Sequence, residues 1–148
     1  MLNVEDSIIE MALRVLEERL KRTTFEFTSP DAVKQYVRLH LQGKDREYFG
    51  VLFLNNQNQL LVFEIIHSGT FNAVNIYPRE VARLALLHNA AAVIFVHNHP
   101  SGSTEASRAD IQMTAKLRNA LALFDIRTLD HLIVAGNVVV SMAEEGLI

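Results

Sequence analysis

Ala90-Ala91-Ala92-Val93-Ile94-Phe95-Val96, running directly into His97-Asn98-His99-Pro100, is the stretch that decides the fold. Seven apolar residues in a row, rich in β-formers toward the end, describe a strand buried on both faces. A sheet that contains such a strand needs helices on both sides.

The neighbouring segments supply them. After the His-Asn-His-Pro turn, Ser107 to Phe124 sets Met113, Leu117, Ala120, Leu121 and Phe124 on one helical stripe. Two strands follow, roughly Thr128–Val134 and Asn137–Ser141, meeting at Ala135-Gly136. On the other side, Tyr77-Pro78-Arg79-Glu80 opens a helix through about Asn89, with proline near the first turn. A strand is expected near Ala73–Ile76. Phe49–Leu54 and Leu60–Ile66 are β-branched and aromatic around the turn-forming Asn55-Asn56-Gln57-Asn58, a hairpin pattern. Ser29-Pro30-Asp31 starts a helix to about Gln42, before Gly43. Residues 4 to 22 place Ile8, Ile9, Ala12, Val15, Leu16 and Leu20 at helical spacing, and the polar tail from Lys21 to Thr24 is a joint. The predicted class is therefore α/β (α+β), a mixed central β-sheet flanked by helices.

Composition narrows the functions. The 148 residues correspond to one domain and can bury a sizeable core without staples. With no cysteine, any metal must be held by nitrogen and oxygen. A formal charge of -3, with scattered Lys and Arg, disfavours nonspecific nucleic-acid binding. No apolar run approaches the roughly 20 residues of a membrane helix, and the first residues lack the pattern of a secretory signal. A cytoplasmic protein is expected.

Side chains two apart on a strand share a face, so His97 and His99 can aim at one point, and Asp110 arrives from the next helix. Two imidazoles and a carboxylate leave a fourth position on zinc for water, as in catalytic sites. A plainer reading accounts for some of the same residues. Ser107 and Asp110 are spaced as the N-cap and N3 positions of a capping box, with Asp where Glu or Gln is usual, and the histidines fit a loop.

His97-x-His99, seven intervening residues, then Ser107-x-x-Asp110 resembles the signature of the JAMM (JAB/MPN) metalloprotease superfamily. His-Asn-His-Pro-Ser-Gly, with Pro78-Arg79-Glu80 upstream and Asp130-His131-Leu132-Ile133-Val134 downstream, looks like its bacterial RadC-like branch. The resemblance covers residues 28–148, leaving 1–27 as an N-terminal helix and joint. It implies the cytidine-deaminase-like MPN/JAMM fold, one Zn2+ per chain on His97, His99 and Asp110, and Ser107 stabilising the oxyanion or orienting water. It also implies a general-base glutamate just before a strand, and Glu47, ahead of Tyr48-Phe49-Gly50, occupies that place.

Glu64 and Glu80 are rivals to Glu47. Glu80 suits the first turn of a helix for its own sake, and Glu64 suits an outward position in the hairpin. His131 reads as a packed or metal-supporting histidine, with a direct ligand as the minor alternative. His40, His67 and His88 have no partner spacing, and Asn98, Pro100 and Gly102 shape the loop.

The implied function is a zinc-dependent hydrolase, metallopeptidase-like, using a metal-activated water on a peptide or isopeptide bond of a peptide or protein substrate. Three alternatives stand beside it. Some members of the superfamily are noncatalytic interaction modules, although their metal motif is usually broken. A DNA-repair-associated role is suggested by the branch name, but bulk charge opposes it, and residues 1–27 are too short for the helix-hairpin-helix region of fuller RadC-like proteins. An iron(II) oxygenase triad uses the same donors, usually from an all-β barrel. Whether residues 1–25 form a homodimer or pack on the core stays open.

Overall fold

The computed structural model describes residues 3–22, 31–69 and 76–148. In chain order the elements are α1 (Val4–Arg22), α2 (Asp31–Leu41), β1 (Glu47–Leu54), β2 (Leu60–Gly69), α3 (Pro78–Leu87), β3 (Ala92–His99), α4 (Arg108–Ala122), β4 (Arg127–Ala135) and β5 (Val138–Ser141). The strands form one mixed sheet in the order β2-β1-β3-β4-β5. Among the described residues, only the β3–β4 pair is parallel. The connection between them is α4, as a parallel crossover requires.

Alternation along β3 divides the core in two. Ile94 and Val96 face Leu52, Leu132, Val33 and Val37 in a layer covered by α1 and α2. Val93 and Phe95 face Phe49, Val81, Met113 and Leu117 in a layer covered by α3 and α4. This is the strand buried on both faces that its apolar run predicts: Ala92 to Val96 are all 1 % exposed or less. His97 and His99 continue the alternation that carries Val93 and Phe95, so both belong to the α3/α4 face.

Several expectations need adjusting. β3 does not stop at Val96 but pairs with β4 as far as Asn98↔Val134 and His99↔Ala135, so the two histidines lie on the strand rather than on a loop after it. β1 begins at Glu47, which places that residue within the strand. The stripe on α1 is buried only at Leu16 and Leu20. Ile8 and Ile9, in the N-terminal half of the helix, are exposed, and so is Val15, which lies off the face that carries Leu13, Leu16 and Leu20 to the core. Phe124, just beyond α4, is likewise exposed. Ser29 and Pro30, and Ala73 to Asn75 of the expected extra strand, lie outside the described residues; Ile76 is buried but not in a strand.

The local signals work as chemistry predicts. Pro78 occupies the first turn of α3, where its missing N–H costs no hydrogen bond. Asn55 Oδ1 accepts from the N–H groups of Gln57 and Gln59 and shapes the β1–β2 turn. Gly50 is required by close approach: a Cβ there would lie 2.6 Å from the Phe63 ring. Among the described residues no helix is long and apolar enough to cross a membrane.

Candidate metal centre

At the C-terminal end of β3, three donors converge. His97 Nε2 lies 2.9 Å from His99 Nε2 and 3.4 Å from Asp110 Oδ1, and His99 Nε2 lies 3.2 Å from Asp110 Oδ2. His97 and Asp110 are buried, and His99 is half-buried. Tetrahedral zinc with bonds of about 2.0–2.1 Å spaces its ligands by about 3.3–3.4 Å, close to this triangle. The donors therefore fit a divalent ion that accepts nitrogen and oxygen, and these three residues could hold one.

Each donor has its own support. Asp110 is the N3 residue of α4, and a full capping box fixes it: Ser107 N–H donates to Oδ2 at 2.8 Å, while Ser107 Oγ accepts from Asp110 N–H at 3.0 Å. The capping reading of Ser107 is thus observed, and it turns the carboxylate toward the histidines. His99 Nδ1 lies 2.8 Å from the Ser103 carbonyl oxygen, which can only accept, so Nδ1 carries the proton in that contact. His97 Nδ1 lies 2.7 Å from His131 Nε2. His131 is fully buried and packs behind His97 rather than among the three donors.

The electrostatics follow from the convergence. Burial pushes Asp110 upward, but the adjoining His97 and His99 side chains outweigh it and hold the carboxyl well below its usual range. Its bond to Asp110 raises the His99 pKa against the opposing effect of burial, and the charge of Glu47 adds a smaller push in the same direction. Burial drives His131 well below the normal histidine value, with His97 adding to the effect.

Glu47, at the start of β1, shares a cleft with His99. Phe49 pairs with His97 across the sheet, and alternation puts Glu47 on the same face as Phe49. A cleft of about 430 Å³ is lined by Glu47 and Arg46 on one side, His99 and Ser101 on another, and Gly69 of β2. The rival carboxylates are elsewhere. Glu64 approaches His88 Nε2 at 3.4 Å, below α3, instead of pointing freely outward. Glu80 bonds Arg83 one turn on, as its helical position implies.

Sequence reasoning passed over two features. Asn98 is more than a loop-shaper. Its Oδ1 accepts from Tyr48 N–H at 2.7 Å and its Nδ2 donates to Arg46 C=O at 2.8 Å, gripping the backbone on both sides of Glu47. Thr114 is fully buried in α4, with its hydroxyl 2.7 Å from Asp110 C=O and 2.6 Å from His131 Nδ1. A polar residue one turn after Asp110, beside the apolar Met113 and Leu117, was the available signal. His40 packs against Tyr36 and Phe63, and His88 against Phe53.

A mixed sheet between two helical layers, with a buried His-His-Asp group at the end of its central strand, defines a JAB-type domain with a possible metal site. The profile of the RadC-like JAB domain matches residues 27–147, and the chain belongs to that family. The UPF0758 protein YeeS of Escherichia coli K12 is 49 % identical over 144 residues, 97 % of each chain. A UPF0758 protein of Variovorax paradoxus is 51 % identical over 142 residues, 96 % of this chain and 63 % of the relative. One from Pseudoalteromonas translucida is 50 % identical with the same coverage. The chain thus spans about three-fifths of the length of these two longer curated relatives.

Proposed function

We propose that this chain is a zinc-dependent hydrolase of peptide or isopeptide bonds, with His97, His99 and Asp110 as the metal ligands. The observation that carries the reading is the donor triangle, whose half-buried member His99 lines a cleft together with Glu47. Zinc held there would supply a Lewis acid and water acidified to a pKa of about 7. Glu47 is the proton carrier: a carboxylate at the cleft wall takes a proton from the attacking water and returns it to the leaving amine. Asn98 holds the Glu47 backbone for that task. Ser107 is the second catalytic residue in the proposal, adding polar stabilisation at the N-terminus of α4 beyond its cap. A cytoplasmic location and a peptide or protein substrate belong to the same proposal.

The test pairs metal analysis with turnover. The purified chain should hold about one zinc, and a library of peptides and isopeptide-linked lysines should contain a cleaved substrate. Glu47→Gln should keep the zinc and lose cleavage. Parent-level cleavage by Glu47→Gln would remove Glu47 from the chemistry, and a zinc-free, metal-indifferent parent would remove the metal centre.

A further inference from the structure

We infer that Thr114 and His131 form a positioning relay that decides which nitrogen of His97 carries the proton, keeping His97 Nε2 bare for a divalent cation. The relay rests on the metal-centre reading above. The Thr114 hydroxyl has one proton, directed at the Asp110 carbonyl oxygen 2.7 Å away. Its lone pairs are then left for His131 Nδ1, at 2.6 Å, and that nitrogen must be the donor. A neutral imidazole has one donor and one acceptor, so His131 Nε2 accepts. The atom facing it at 2.7 Å is His97 Nδ1, which therefore carries its ring's proton. The His97 Nε2 lone pair is left toward His99 and Asp110.

The reverse polarity places a proton on His97 Nε2, 2.9 Å from His99 Nε2, and blocks the nitrogen that a metal needs. Thr114 and His131 are both 0 % exposed, which leaves the choice of polarity to protein groups. The His131 ring is also packed against Phe49 and Phe95, at centroid distances of 5.9 and 5.8 Å and steep interplanar angles. The path starts on one proposed ligand, His97, and closes on the backbone of another, Asp110. His99 needs no such relay, since the Ser103 carbonyl fixes its tautomer directly.

Two measurements on the full chain test this: zinc affinity by competition with a chromophoric chelator, and imidazole 15N shifts of the metal-free protein, which report tautomers. Thr114→Val keeps the shape and removes the hydroxyl; Thr114→Ser restores it. The expected result is a His97 Nδ1–H tautomer in the parent, and a zinc affinity about 10–100-fold weaker in Thr114→Val, the usual effect of losing a partner behind a metal ligand. Thr114→Ser should recover to within a few-fold. Unchanged zinc affinity in a folded Thr114→Val, or a Thr114→Ser as weak as Thr114→Val, overturns the relay. If Thr114→Val does not fold, the parent spectrum decides: a His97 Nε2–H tautomer overturns the relay and Nδ1–H upholds it. A parent that binds no zinc defeats the metal-centre reading, while the same spectrum still judges the relay.

Discussion

Asn98→Ala should loosen the site without emptying it. The side chain is 2 % exposed and replaces main-chain pairing beyond the Phe49↔His97 pair, bonding Tyr48 N–H at 2.7 Å and Arg46 C=O at 2.8 Å. Arg46 is exposed, so its freed carbonyl regains water and the loss there is about 1 kcal/mol. Tyr48 is half-buried, so its N–H regains water less completely and costs about 1–2 kcal/mol. The sum, about 2–3 kcal/mol, corresponds to a melting temperature roughly 5–10 °C lower for a domain of this size. Zinc affinity should stay within a few-fold of the parent, because His97 and His99 project from the other face of β3. Turnover should fall by more than the unfolded fraction explains, since the backbone around Glu47 is released. Thermal melts in chelator and chelator-competition titrations measure the first two quantities on the same sample. A melting temperature within about 1 °C of the parent would refute the clamp. So would a loss of zinc binding as large as that of a direct ligand variant, which would show that the two faces of β3 are not independent.

Asp110→Asn should separate capping from metal binding: an amide oxygen can still accept from Ser107 N–H, so the cap survives. Losing the charge that His97 and His99 favour lowers stability at neutral pH, read in urea melts in chelator. Zinc affinity should nevertheless fall by more than the about 10–100-fold that a lost supporting partner costs, and retained stoichiometric zinc would remove Asp110 from the ligand set. Ser107→Ala should cost about 1 kcal/mol as a lost N-cap, read as a lower urea midpoint. Under the proposed mechanism its turnover falls further than that loss accounts for, and parent-level kcat on folded enzyme would confine Ser107 to the cap. His40 gives a pH signature independent of the metal. Burial, with Lys44, outweighs Glu17 and lowers its pKa. The unfolded chain therefore takes up a proton that the folded chain resists, and stability falls as pH drops through the unfolded value of about 6.5. His40→Gln should shrink the loss of stability between about pH 7 and pH 5. An unchanged slope in urea melts across that range would contradict the assignment.

What the sequence makes legible here is whatever depends on near neighbours. The β1–β2 hairpin shows in its asparagine turn, α3 in Tyr77-Pro78, and α4 in Ser107 with Asp110 three residues on. These are local hydrogen-bonding and steric preferences, so a short window contains their cause. The errors fall where tertiary partners decide. Polar His97-Asn98-His99 looks like the end of a strand, yet β4 continues alongside and keeps the three residues in the ladder. The stripe on α1 is periodic over its whole length, but only its last turns meet the core, where Leu16 and Leu20 are buried. Periodicity shows which face can be buried; it does not show how far the neighbouring layer extends.

The same division runs through the site. His97, His99 and Asp110 are visible from spacing alone because a strand and the first turn of the following helix bring them together. The sequence already offers His131 as a supporting histidine, but its partner atoms, Thr114 and the grip of Asn98 on β1 are visible only when α4, β4 and β1 are laid against β3. The motif nevertheless has a physical logic that its letters understate. In His97-Asn98-His99 the outer two side chains face α4 and supply donors, while the middle one works on the other face and ties down the strand that carries Glu47. One strand end thus organises both candidate histidine ligands and the proposed proton carrier. An asparagine suits the middle position because tying two adjacent peptide groups requires one donor and one acceptor on the same short side chain, and aspartate supplies only the acceptor.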